Sequence, residues 1–448
     1  MPKPETKEER YRRMTQTPVD RLIVSLAIPT MISMMVTALY NSADTYFVGS
    51  ISTEATASVG VCFSIMQFIQ ALGFFCGHGS GNYMSRRIGA GDDQEAQEAA
   101  ATGFALAFLL GLFLAVTGLV IIRPLARLLG ATPLMMEDTV RYMRIILCGA
   151  TVMIPEIVLN NQLRFQGSAA YAMVGLVSGA VINIGLDPLF IFVFHMGVSG
   201  AAAATVLSQT IALLILWQGT LRGGNVRIHP RNIRLNRHYL FQIANGGAPS
   251  LFRQGLSSVS AIFLNRLAGS LGGEAAIAGM SVTTRVMLML NSAVIGFGQG
   301  FQPVASFNYG AKLYDRVKEG FRFCVKYSTV FLAVIALICE LFAPQIVRFF
   351  RDDAEVIAIG SRALRFQAAV VFVFGFTVMS NMMLQSIGKG FRASLLASAR
   401  SGIFFIPALF LLSGLFGLRG VEIAQAVADA LSFLFTIPIV WSVWKELT

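Results

Sequence analysis

Charge is scarce in this sequence. Of 448 residues only 13% are Asp, Glu, Lys or Arg, while 55% are hydrophobic. Soluble domains carry roughly 25% charged residues, so a water-soluble fold is excluded. Cysteine is sparse too. The five, Cys62, Cys76, Cys148, Cys324 and Cys339, each lie in or beside an apolar run with no metal-like spacing. They read as packing or lipid-facing side chains. A cleavable signal is not expected at the front. "MPKPETKEERYRRMTQTPVDR" reads as a polar cytoplasmic tail, and the apolar run after it is too long for a signal h-region.

What is abundant is apolar length. Runs near the 20 residues that a helix needs to cross a bilayer recur throughout. Twelve spans are expected, near 21–48, 55–83, 98–121, 139–164, 169–194, 198–220, 240–268, 276–305, 322–343, 360–386, 391–414 and 420–443. The fold class is all-α and polytopic. The net charge of +11 raises nucleic-acid binding as a reading, but the basic residues sit in short loops between apolar runs. Arg86 and Arg87 lie between spans 2 and 3, Arg222, Arg227, Arg231, Arg234 and Arg237 between spans 6 and 7, and Lys389 and Arg392 between spans 10 and 11. With alternating spans these fall on one side, which makes both termini cytoplasmic by the positive-inside rule. Arg123, Arg127, Arg348 and Arg351 break the pattern mildly. A multi-pass protein of the cell inner (plasma) membrane, in contact with lipid and not nucleic acid and working as a monomer, is expected.

The chain repeats itself at an offset near 220 residues. Pro29 aligns with Pro249, Gly49 with Gly269, Gly89 with Gly310, Gly167 with Gly388, and "MGVSGAAAATVLSQ" with "FGLRGVEIAQAVAD". Such a period marks a duplicated six-helix unit. An even number of spans repeats in one orientation, so the halves should be related by a pseudo-two-fold axis along the membrane normal, with substrate bound between them. The expected divisions are a tail at 1–20, an N-lobe at 21–221, a linker at 222–239 and a C-lobe at 240–448.

Few spans carry acids. Asp44 closes span 1 in "ALYNSADTYFVG", at a cost of about 2.5–3.5 kcal/mol if it lies deep in the membrane. One reading is a wetted interfacial Asp near a helix end. Span 5 changes the balance. "SGAVINIGLDPLFIF" places Asn183 and Asp187 at i and i+4, on one face of a helix. Pro188 follows, removes a donor and frees carbonyl oxygens. Span 6 adds Thr205. At 1.5 Å per residue all four oxygen-bearing residues lie at compatible depth. They suit a small site for a hard cation or for a proton shared by carboxylates. In the second half the matching positions are Leu264, Gly402, Ile406 and Gln425. Both carboxylates are gone there, so the fold does not require them.

Along essentially its whole length the sequence resembles the multidrug and toxic compound extrusion (MATE) family. The resemblance rests on "AIP…NSADTYFVG", "SRRIGAGD", "NNQLRFQG" and the Asn-x-x-x-Asp pair of span 5. It implies export of organic, often cationic, compounds in exchange for inward Na⁺ or H⁺, with no cofactor. In the bacterial and archaeal type with an N-lobe cation site, Asp44, Asn183, Asp187 and Thr205 match the site positions. A second type uses acids of spans 7 and 10. Here span 7 has Arg253 and Gln254, and span 10 has no acid in "FQAAVVFVFGFTVMSNMMLQ".

Other embedded polar groups are candidates for the cavity: Gln67, Gln70, Asn160, Asn161 and Gln162, with hydrogen bonding between helices as the alternative, and Glu156, which follows Pro155 and reads equally as a partner of that kink. Met34 and Met287, with Met31, Met35 and Met289, suit an adaptable drug surface or ordinary packing. Asp429 in span 12 is either a cation or substrate contact or the partner of Arg285 in span 8. His78 is a titrating group or a packing residue between Gly77 and Gly79. Pro29 and Pro188 are the candidate hinges. A lipid-linked saccharide flippase of the same broader fold group is the alternative function, kept open by Arg253 and Arg285, although it would want a basic cavity. An enzyme is not expected: an intramembrane aspartyl protease needs a Gly-x-Gly-Asp setting that "IGLD" does not supply.

Overall fold

The sequence folds into long helices because its apolar runs are interrupted by few breakers. In a bilayer a helix also satisfies every backbone group internally. The computed structural model describes residues 5–447. Residues 1–4 of the expected tail and Thr448 of the expected C-lobe lie outside them. Among the described residues no strand occurs, and eleven continuous helical elements are long and apolar enough to cross a membrane. One of these, Arg237–Gly310, leaves helical geometry at Gly273 (φ 62°, ψ −153°). It is two spans, 237–272 and 274–310, which makes twelve. Apolar length predicts a loop between spans 7 and 8, over 269–275. A single left-handed glycine does the work of that loop, because only glycine adopts this conformation without strain.

The other spans are Val19–Gly49, Thr53–Gly89, Asp93–Val120, Met136–Phe165, Ala169–Pro188, Val198–Thr220, Tyr314–Phe350, Ala354–Ser386, Gly390–Phe416 and Leu418–Glu446. Most outrun their apolar stretches by several residues, since polar turns at the ends still form helix outside the lipid. Span 9 continues past the expected end at 343, through a kink at Phe342 (φ −114°, ψ 17°) beside Pro344. Proline has no amide to give the preceding turn. Two π-helical turns occur near prolines. Leu189–Val193 follows Pro188, and Ala399–Phe404 precedes Pro407. A short helix, Ile122–Leu128, fills the connection after span 3.

The duplication is visible in the backbone. Gly167 and Gly388 share φ of 84° and 85°, and Gly197 and Gly417 share φ of 57° and 59°. Asn160 Nδ2 donates to the Ala172 carbonyl at 2.9 Å, and Asn381 Nδ2 to the Ala393 carbonyl at 2.5 Å. Spans 2 and 8 cross reciprocally. A Cβ on Gly89 would collide with the Phe307 carbonyl, and a Cβ on Gly310 with the Arg86 carbonyl. Each glycine is needed where the other half's backbone passes, the self-complementary contact of a two-fold axis.

On the side bearing the N-terminal tail the halves are tied together. The amphipathic helix Lys7–Gln16 opens with a capping box between Thr6 and Glu9. Its Arg13 donates to the Gly167 carbonyl at 3.0 Å, and Asn308 of span 8 donates to its Met14 carbonyl at 3.1 Å. Burial lowers the Arg10 guanidinium to about 10, and its hydrogen bonds to Gly224 and Asn225 fasten the linker. Deeper in, Arg164 of span 4 donates to Gln299 of span 8, and Ser306 donates to Asn82 at 2.8 Å. Large apolar side chains such as Phe113, Leu214, Leu411 and Trp441 are exposed, the surface expected of a chain whose solvent is lipid.

Candidate functional site

Three N-lobe spans each present a polar pair one helical turn apart. Span 1 offers Tyr40 and Asp44, span 5 Asn183 and Asp187, and span 6 Thr205 and Gln209. Residues at i and i+4 stack on one helix face, so each span aims two oxygen-bearing side chains in one direction. Asp44, Asn183, Asp187 and Thr205 are all buried; Asp187 is wholly inaccessible. Asn183 Nδ2 reaches Asp187 Oδ1 at 3.4 Å. The Tyr40 side chain lies near Gln209 and within electrostatic reach of Glu156, Asp44 and Asp187. The charge of Asp44 also acts on Asp187, and both act on Tyr142 of span 4.

Three oxygens are left over. Asp44 Oδ1, Asp187 Oδ2 and Asn183 Oδ1 are buried with no hydrogen-bond partner among the described residues. Each unsatisfied buried polar atom costs roughly 1–3 kcal/mol, more when charged. A proton or a small cation is what this donor set would bind: carboxylate and amide oxygens are hard ligands. Among the described residues no cluster of three or more His, Cys, Asp or Glu could hold a metal ion.

The other candidates divide. Glu156 is buried beside this group, near enough for its charge to reach Tyr40. Gln67, Gln70 and Met34 are half-buried. Gln162 is spent on structure, donating to Ser80 Oγ at 2.9 Å and the Ala100 carbonyl at 3.0 Å. Asn160 ties down the turn after span 4. Asn161 accepts from Arg164 at 2.5 Å, and Met287 lies in the C-lobe core. His78 donates through Nδ1 to Ser250 Oγ at 2.6 Å, because a guanidinium donor of Arg164 at 3.0 Å makes Nε2 the acceptor.

The pairing of Asp429 with Arg285 is corrected. Arg285 is exposed. Arg400 of span 11 holds Asp429 instead, through Nε at 2.7 Å and Nη2 at 3.2 Å. Sequence reasoning also missed Tyr40, Gln209 and Tyr142. The first two carried a usable signal, since each stands four residues from a singled-out residue on its own span.

Twelve spans in two repeats, with unsatisfied carboxylate oxygens buried, among the described residues, in the first of them, define a class: a polytopic membrane transporter of duplicated six-helix design. The MatE family model matches residues 29–189 and again 249–411, once in each half. The chain belongs to the MatE family. It is 25% identical over 444 residues to the multidrug export protein MepA of Staphylococcus haemolyticus (strain JCSC1435), covering 99% of this chain and 98% of that one. It is similar to a multidrug resistance MATE family transporter of the MOP superfamily solved in an outward-facing conformation, with TM-score 0.91, 29% identity and 98% of each chain covered. It is equally similar to a MOP superfamily transporter from Pyrococcus furiosus Vc1 (DSM3638), with TM-score 0.90, 29% identity and 98% of each chain covered. For that protein a reversed polarity of the binding pocket is said to suggest a different function.

Proposed function

We propose that this protein is a multidrug efflux antiporter. It exports organic, mostly cationic amphiphilic compounds across the cell inner membrane in exchange for inward Na⁺ or H⁺, as a monomer with both termini in the cytoplasm. The observation that carries the reading is the set of three unsatisfied oxygens on Asp44, Asn183 and Asp187. The multidrug export function of MepA, a relative over nearly the full length, supports the substrate class.

The cycle follows from linkage. A coupling ion moves a transporter only if it binds the two conformations differently. With the lobes tied on the tail side, the cleft faces outward, and Na⁺ or H⁺ reaches Asp44 and Asp187. Asn183 and Thr205 complete the ligand set. Neutralising the carboxylates lets span 1 repack, with Pro29 and Pro188 as hinges, and weakens the hold on a cationic drug. The drug leaves outward. The ties of Arg164 to Gln299 and Ser306 to Asn82 then break, the cleft opens inward, and the ion is released.

The test is dye efflux from proteoliposomes containing the purified protein. Imposed Na⁺ and H⁺ gradients are applied separately, with a fluorescent organic cation as the probe. Efflux driven by one of the two gradients, and abolished when it is collapsed, is the expected result. Efflux indifferent to both gradients contradicts antiport. Transport of lipid-linked saccharide with no movement of dye would establish the flippase reading instead.

A further inference from the structure

We propose that the C-lobe holds a second carboxylate cation site, permanently occupied by the guanidinium of the protein's own Arg400. The inference deepens the reading of the N-lobe as an exchangeable-cation site, and it rests on that reading for the contrast between the lobes.

Repeat geometry locates the site. Gly197 with Gly417, and the backbone bonds Gly200 to Gly197 and Gly420 to Gly417, both 3.0 Å, fix the register of spans 6 and 12. In that register Gln425 replaces Thr205 and Asp429 replaces Gln209. On span 11, the register set by Gly167 and Gly388 places Arg400 at the counterpart of Gly179, and Arg400 stands two residues before Gly402, which the Pro188–Pro407 register pairs with Asn183. Gly179 faces span 6 closely: a Cβ there would stand 3.0 Å from Ala212 Cβ. Arg400 likewise faces span 12. Where the N-lobe has a glycine, the C-lobe has a cation.

That cation is held as a ligand site would hold one. Both Asp429 oxygens accept from Arg400, and Gln425 Nε2 donates to Asp429 Oδ1 at 2.8 Å. The guanidinium carbon lies 4.3 Å from the Phe374 ring centroid, in cation–π range. Arg400 lies on the π-helical turn Ala399–Phe404, and Ser260 of span 7 donates to the Ser401 carbonyl in that turn. Asp429 is 5% exposed, whereas Arg400 keeps a quarter of its side chain accessible. Water can therefore reach the pocket once the guanidinium is removed. A guanidinium is a permanent charge on a tether; it neutralises Asp429 in every conformation that keeps the contact, so the C-lobe pair carries no coupling.

The test counts cations. Purified protein in detergent, in sodium-free buffer at alkaline pH, is assayed for radiosodium binding, and separately for proton uptake on acidification. Arg400→Gln should bind about one monovalent cation more per molecule than wild type, because an isolated buried carboxylate recruits a counter-charge. Arg400→Gln/Asp429→Asn should return to the wild-type count, and Asp429→Asn alone should keep it. An Arg400→Gln protein that is monodisperse and binds no extra cation overturns the proposal, as does loss of a cation in Asp429→Asn. Should Arg400→Gln not fold, the Asp429→Asn count still decides. In Arg400→Gln/Asp44→Asn/Asp187→Asn only the new site remains. A wild type that binds nothing, beside an Arg400→Gln that gains a cation, would refute the N-lobe reading while leaving this one standing.

Discussion

Buried acids in this protein come in two kinds, and the difference is whether an arginine reaches them. Glu422 of span 12 is wholly buried and held by Arg362 of span 10 at 2.8 and 3.1 Å. Asp429 is held by Arg400. Asp44 and Asp187 have no such partner among the described residues and keep unsatisfied oxygens. Paired acids serve structure. Arg362→Ala should therefore destabilise the protein by about 1–3 kcal/mol by stranding a buried carboxylate, read as a lower melting temperature in detergent. Ligand affinity should be unchanged in the protein that remains folded. At this scale the sequence was readable where a charge interrupts an apolar run, as at Asp44 and Asp187. It was not readable where pairing depends on which helix faces which. Arg285 and Arg400 both stand within apolar spans, and only packing shows that the first points out and the second reaches Asp429.

Helices bend here where proline withholds an amide. Pro188 cannot donate to the turn before it, and the chain answers with the π-helical turn Leu189–Val193, directly after Asp187. Pro29 sits within span 1, and Ser33 Oγ donates to its carbonyl at 2.9 Å. If these bends carry the repacking of the N-lobe, Pro29→Ala and Pro188→Ala should each slow gradient-driven efflux several-fold. Equilibrium dye binding, measured by fluorescence polarisation, should stay near wild type. Unchanged turnover would remove the hinge role. The spans themselves were legible from apolar length, because nothing else in this composition competes with membrane helix. Their ends were less legible. Gly273 reverses the chain in one residue, and the helix of span 9 runs on past its kink to Phe350. Glycine conformation at Gly273 and local helix propensity after Pro344, not hydropathy, decide where those elements stop.

The two halves meet as near copies, and the glycines at their crossing show it. Gly89 and Gly310 occupy equivalent places against the opposite backbone. Gly89→Ala and Gly310→Ala should destabilise the tail-side closure by similar amounts, about 1–3 kcal/mol each as for other overpacked contacts. Increased labelling of cysteines introduced along the facing surfaces of spans 2 and 8 would report it. A large effect at one position alone would contradict the symmetry. The duplication was legible because glycine and proline landmarks survive at a constant offset. The functional asymmetry was legible as acids present in one half and missing from the other. What fills their place in the C-lobe was not, because Arg400 stands two residues before Gly402, off the positions that the repeat aligns.

The central claim is that the N-lobe acids couple an ion to drug release. The most direct measurement is gradient-driven dye efflux by Asp44→Asn and Asp187→Asn in proteoliposomes, with dye binding measured on the same preparations. Asn keeps the size of Asp and removes the charge that a cation or proton would neutralise. Loss of gradient-driven efflux with dye binding retained in both variants is the expected result. Efflux that still follows the gradient in both would contradict the claim and leave the unsatisfied oxygens without a role in transport.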